Sequence, residues 1–243
     1  MPITLCLDFG NTRLKWAIFS GDLIHRRGQF GEQIVEELRD CIETHKPDRS
    51  ILSSVVNHPE AVEEMLKNKT RFHKLDHHSR IPITTPVGKP ETIGADRIAL
   101  VVAATHYFPD RNNLVIGLGS AITYNYINRF HQFIGGSISP GMEMRFKSLQ
   151  VFTAKLPLVL PHWNFPLAGY DTKTNIQSGV IFGMAKEIDG VIEAYEERYD
   201  NLHVLMTGGD AQYFKPFLKK QITEEPDLIF KGLYVISEYN LSN

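Results

Sequence analysis

A short apolar run that ends in a glycine turn occurs twice in this chain, about 109 residues apart, and this duplication limits the fold more than any other feature. Leu5-Cys6-Leu7-Asp8-Phe9-Gly10-Asn11-Thr12 lies over Leu114-Val115-Ile116-Gly117-Leu118-Gly119-Ser120-Ala121, and a second β-type run follows each copy (Lys15–Phe19, Thr123–Ile127). A repeated strand–turn–strand predicts two related α/β domains facing each other across a cleft. With 243 residues there is room for two such domains, each with its own core. The expected division is 1–112 and 113–243, since Pro109-Asp110-Arg111-Asn112-Asn113 is the best linker candidate.

The turns themselves suggest chemistry. Glycine lets backbone N–H groups approach a phosphate, and the Asn11 and Thr12 side chains can add hydrogen bonds. Asp8 is then placed to hold the Mg²⁺ that accompanies a nucleoside triphosphate. The second copy keeps Gly119 and a hydroxyl, Ser120, but has Gly117 where Asp8 stands. Asp-x-Gly-Asn is also ordinary hairpin chemistry, so the echo and further glycines must carry the reading. Those glycines are Gly135-Gly136 with Gly141, read as a turn into a helix at Met142–Leu149, and Thr207-Gly208-Gly209, which ends a strand at Val204–Met206.

Between these landmarks the periodicity alternates. Strands are expected at Ile3–Asp8, Leu14–Phe19 and Ser50–Val56, with a hairpin at Ser20-Gly21-Asp22. Helices are expected over Ile34–Ile42, after Pro59, from Gly94 to Tyr107, and from Thr174 to Glu197. Prolines at 82, 86 and 90 make Arg80–Pro90 an extended loop, and Leu156–Pro166 reads as irregular.

Asp96 and Arg97 form a second candidate site at the start of a helix. Asp96 either complements the helix dipole or accepts a proton from an attacking hydroxyl, and Arg97 can clamp a carboxylate bidentately. His73, His77 and His78 lie among Arg71, Lys74 and Arg80 without a cysteine, a solvated loop rather than a metal site. Trp16 and Trp163 read as packing residues. A net charge of −2 gives no electrostatic case for nucleic acid or an acidic membrane surface. Cys6 and Cys41 fall at apolar positions, as in a reduced cytoplasmic protein, and neither a signal peptide nor a spanning segment is expected.

These blocks, in this order, resemble the type III pantothenate kinases, members of the superfamily of acetate and sugar kinases, Hsp70 and actin. The resemblance runs through Asp8–Thr12, Gly94-Ala95-Asp96-Arg97, Gly119-Ser120-Ala121, Gly135-Gly136 with Gly141, Thr153-Ala154-Lys155-Leu156-Pro157, Thr172 with Ile176 and Gly179, and Thr207-Gly208-Gly209. It implies two ribonuclease-H-like domains, a homodimer, and transfer of the ATP γ-phosphoryl group to pantothenate, the first step of coenzyme A synthesis. Carried over by position, Asp8, Gly10, Asn11, Thr12, Arg13, Leu14, Lys15 and Ser120 would bind ATP with Mg²⁺. Val87, Gly94, Ala95, Asp96, Arg97 and Thr172 would contact pantothenate, with Asp96 as the proton acceptor. The chain departs from the family pattern at Gly117, where an aspartate associated with potassium or ammonium is usual, and at Val87, Lys89 and Asn125. The departures at Gly117 and Val87 define the competing expectation, a nucleotide-binding regulator that has lost turnover.

Overall fold

The computed structural model describes residues 2–85 and 90–241, so Val87 and Lys89 lie outside the described residues. The chain forms two compact units. The first comprises 1–110, 129–134 and 227–243, and the second 111–128 and 135–226.

The first unit is built on β1 (Ile3–Phe9), β2 (Leu14–Ser20), β3 (Leu23–Phe30), β4 (Arg49–Ser54) and β5 (Arg71–Lys74), in the order β3-β2-β1-β4-β5. β1 pairs antiparallel with β2 and parallel with β4. Alternation along β1 sends Leu5, Leu7 and Phe9 into a core with Leu38, Cys41 and Ile42 of α1 (Ile34–His45) and with Val62 and Leu66 of α2 (Glu60–Lys69). Pro59 is the N-cap of α2. Trp16 packs beside Phe30 and His45, a core role.

The opposite sheet face is covered by α3 (Ala95–Tyr107) and the C-terminal α8 (Leu228–Leu241). Small residues let these helices meet: a side chain at Gly232 would strike the Ala99 backbone carbonyl. Tyr234 of α8 stacks on Phe19 at 4.8 Å. Backbone hydrogen bonds between Thr84 and both His131 and Phe133 tie the 129–134 segment to this unit.

The second unit repeats the plan with β6 (Asn112–Leu118), β7 (Ala121–Ile127), β8 (Phe133–Pro140), β9 (Leu202–Thr207) and β10 (Thr223–Glu224), in the order β10-β9-β6-β7-β8. β6 pairs antiparallel with β7 and parallel with β9, as β1 does with β2 and β4. Gly135-Gly136 is not a turn, as expected from sequence, but part of β8. A side chain at Gly136 would collide with the Tyr124 carbonyl, so the glycine allows close strand packing. The helix after it, α4, is Met142–Val151.

The helix expected over 174–197 is α5 (Thr172–Gln177), a π turn (Ser178–Phe182) and α6 (Gly183–Glu196). Asp171 and Thr174 start it with a capping box. Met184, Ala185, Ile188 and Ile192 of α6 are buried against β6 and β9, and Val191 and Tyr195 pack at the edge of the same core. After β9 the chain makes only a short α7 (Ala211–Phe214), on which Trp163 packs edge-on against Phe214 while stacking with Tyr213 at 4.9 Å.

Candidate active site

Asp8 is the penultimate residue of β1, on the sheet face opposite Leu5, Leu7 and Phe9. In register it pairs with Lys15 of β2 and Ser53 of β4. Beyond it the chain turns through Gly10-Asn11-Thr12-Arg13, closed by Gly10 N–H donating to the Arg13 carbonyl at 3.1 Å. Asn11, Thr12 and Arg13 are exposed, while Leu14 and Lys15 are half-buried at the start of β2. A side chain at Gly10 would stand 3.5 Å from the Arg13 carbonyl oxygen, an ordinary contact. The fold therefore does not require glycine at this position.

Asp96 and Arg97 occupy the first turn of α3 in the same unit. Arg97 and Ile98 N–H groups donate to the Gly94 carbonyl and begin the helix. The Asp96 carboxylate folds back over Gly94, so that any side chain at 94 would displace it. The Arg97 guanidinium lies over the Phe133 ring, 5.6 Å from its centre, and Phe133 is buried.

The electrostatics link the two clusters. Burial pushes the Asp8 carboxyl up to about 6; Lys15 opposes this and the Asp96 charge adds to it. Two carboxylates that sense each other, against one ammonium, form a site with surplus negative charge. Among the described residues no group of three or more His, Cys, Asp or Glu gathers as a metal cage. That donor set suits Mg²⁺, which keeps several waters and binds through one or two carboxylates together with phosphate oxygens. The histidines at 73, 77 and 78 do not contribute to such a cage. His73 bonds the Ser79 hydroxyl at 2.8 Å, and His78 N–H donates to Asp76 in a local turn.

The second unit has its own glycine convergence. The Gly119-Ser120 turn is closed by Gly119 N–H donating to the Ala121 carbonyl at 3.1 Å, and Gly141 N–H donates to the Ser120 carbonyl at 3.1 Å. A side chain at Gly141 would strike the carbonyls of Gly119 and Ser120. One at Gly208, whose φ is +106°, would strike Leu118. Two glycine segments far apart in sequence thus converge on one turn. Arg145 fixes the start of α4 beside it, donating to the Pro140 carbonyl at 2.8 Å and pairing with Glu187, which also accepts from Tyr124. Gly117 sits between Thr123 and Thr207, and Asn125 donates to Thr123 Oγ1 at 3.1 Å, so hydroxyls and an amide surround the position equivalent to Asp8. Thr172 is exposed at the first position of α5.

The structure thus brings Asp8, Lys15, Asp96 and Arg97 into one unit, and Gly117, Ser120 and Thr172 into the other. Sequence reasoning missed Phe133 and Ser53. Phe133 joins unit one through the pairing of its segment with Thr84, and the β4 register aligns Ser53 with Asp8; neither is visible in a linear reading.

The sequence profile of the family described as type III pantothenate kinase matches residues 4–194. The chain belongs to that family. A type III pantothenate kinase of Cytophaga hutchinsonii is 39% identical over 239 residues, covering 98% of this chain and all of the relative. One from Christiangramia forsetii is 37% identical over 240 residues, covering 98% and 99%. Among solved structures, the activator of 2-hydroxyisocaproyl-CoA dehydratase from Clostridium difficile superimposes with a TM-score of 0.57, covering 99% of this chain and 96% of that one. At 11% identity that likeness concerns the fold alone: two ribonuclease-H-like units, as the paired sheets require.

Proposed function

We infer that this chain transfers the γ-phosphoryl group of ATP to the hydroxyl of pantothenate, giving 4'-phosphopantothenate and ADP. Full-length kinship to type III pantothenate kinases carries the reading, and the pairing of Asp8 with Asp96 in one unit supports it. Asp8 would hold the Mg²⁺ that neutralises phosphate charge. The turn from Gly10 to Lys15 and the Ser120 hydroxyl would bind ATP. Gly94, Ala95 and Arg97 would seat pantothenate, Arg97 through its carboxylate, with Val87 and Thr172 as further contacts. The substrate oxygen forms a bond to phosphorus as the bond to ADP breaks, and Asp96 takes the hydroxyl proton. Positioning and charge neutralisation supply most of such a rate enhancement, and those groups are all present.

A monovalent cation needs several oxygens and gains most from a carboxylate. Gly117 supplies none, so turnover would be indifferent to potassium and ammonium. The two gene-level copies would join near 112/113. No helix among the described residues is long and apolar enough to cross a membrane.

A homodimer completes the reading. Val191, Ile192 and Tyr195 of α6 pack in the unit's own core, where Tyr126 meets both Tyr195 and Tyr199. Four of the most exposed large apolar side chains fall in the stretch that leads to Thr172: Phe152 at 84% exposure, Leu160 at 74%, Leu167 at 68% and Tyr170 at 81%. A second copy of this chain is the occupant proposed for them. Light scattering at micromolar concentration tests the dimer, with a fully active monomer as the contrary result. For the reaction, purified protein with Mg²⁺, ATP and pantothenate should yield ADP and phosphopantothenate in equal amounts by mass spectrometry. ATP binding without product would instead mark a regulator.

A further inference from the structure

β4 carries three serines, and they differ in one respect. Ser50 Oγ meets Thr70 Oγ1 at 2.5 Å. Ser54 Oγ donates to the Val56 carbonyl at 2.8 Å and meets His58 Nδ1 at 3.2 Å. Ser53, only 1% exposed, has a hydroxyl with no hydrogen-bond partner among the described residues. It is also the one in register with Asp8 on the neighbouring parallel strand, so both side chains leave the same face of the sheet.

A buried hydroxyl without a partner bears its desolvation cost uncompensated. Thr4 and Thr105 also carry orphan hydroxyls, but threonine brings a methyl group that packs. Serine brings only its oxygen. In the unliganded fold Ser53 is therefore a liability, placed one strand away from the carboxylate assigned to the metal. Neighbouring strands lie about 4.8 Å apart, within reach of a hydroxyl that turns between staggered rotamers.

We propose that Ser53 is a positioning residue whose hydroxyl donates to the Asp8 carboxylate once Asp8 holds the cation, fixing which carboxylate oxygen faces the metal. The proposal rests on the assignment of Asp8 made above. Carboxylates that ligate metals are themselves commonly held by hydrogen bonds, and losing such a partner weakens metal affinity by about tenfold or more.

The test compares the full chain with Ser53→Ala. The metal- and nucleotide-free variant should unfold at the same temperature as the parent or higher, since an orphan hydroxyl has been removed. Titration calorimetry with Mn²⁺ in the presence of ADP should show affinity lower by about tenfold. The Mg²⁺ concentration for half-maximal turnover should rise by a similar factor, with KM for pantothenate unchanged. Ser53→Cys keeps the shape with a weaker donor and should fall between parent and alanine variant. Unchanged Mn²⁺ affinity in Ser53→Ala overturns the proposal. So does an unfolding temperature that drops together with turnover, which marks a structural hydroxyl. If the parent binds Mn²⁺ with ADP but does not phosphorylate pantothenate, the reaction assignment fails while the Ser53 comparison still stands.

Discussion

The two sheets share strand order and pairing, yet at equivalent positions one row reads Asp8, Lys15, Ser53 and the other Gly117, Thr123, Thr207. Their turns differ too: Gly10 to Arg13 spans four residues, whereas Gly119-Ser120 spans two. The first turn is exposed and its glycine sterically replaceable; the second is packed under Gly141 and Gly208. Apolar alternation preserves the sheet in both units because every core residue depends on register. Charge at the strand end answers to no such constraint and has diverged. One unit keeps the carboxylates proposed to handle cation and proton, and the other keeps a closely packed backbone turn.

The comparison can be broken most severely at Asp96. Asp96→Asn should lower kcat by roughly 10²–10⁴-fold, since the amide cannot accept a proton, while ATP affinity by calorimetry stays near the parent's. Near-parent turnover would remove Asp96 from the chemistry.

Next come the glycines, where the two turns should respond in opposite ways. Gly208→Ala should destabilise by roughly 2–4 kcal/mol, because a left-handed residue gains a side chain against the Leu118 backbone. Gly10→Ala should stay within about 1 kcal/mol of the parent in denaturant unfolding yet bind ATP less tightly. A well-folded Gly208→Ala would show that the second turn is not the packed one.

A smaller effect concerns pH. The folded Asp8 carboxyl, raised to about 6, binds its proton more tightly than in the unfolded chain. Its contribution to stability is complete below the ordinary aspartate value near 4 and is lost as pH rises through about 6. At pH 8 the metal-free Asp8→Asn variant should therefore be more stable than the parent, by about 1–3 kcal/mol, towards the lower end because part of the side chain reaches solvent. Equal stability at pH 5 and 8 in both proteins would contradict this. Smallest is Gly117→Asp, which should introduce a few-fold potassium stimulation where the parent shows none.

Much of this was legible in the sequence. The 109-residue echo gave the duplicated sheet, and the apolar runs located β1, β2, β4, β6, β7 and β9 to within a residue or two. Asp8, Asp96 and Arg97 stood out because each falls near a glycine in one of the blocks that resemble the family. What stayed hidden depends on pairing. Gly135-Gly136 looked like a turn because glycine's need here is close packing against Tyr124 rather than a bend. The apolar residues late in α6 face a core to which β7 brings the Tyr126 ring, a partner far away in sequence. Ser53 looked like one serine among three.

On the proposed mechanism, a single carboxylate-bearing strand end suffices for phosphoryl transfer without a cation held at Gly117. Steady-state formation of phosphopantothenate, measured with Mg²⁺ and ATP in buffer free of potassium and ammonium, tests it directly. The prediction is full turnover, changed by less than about twofold when potassium or ammonium is added. No product in that buffer, with strong stimulation on adding either ion, would contradict it.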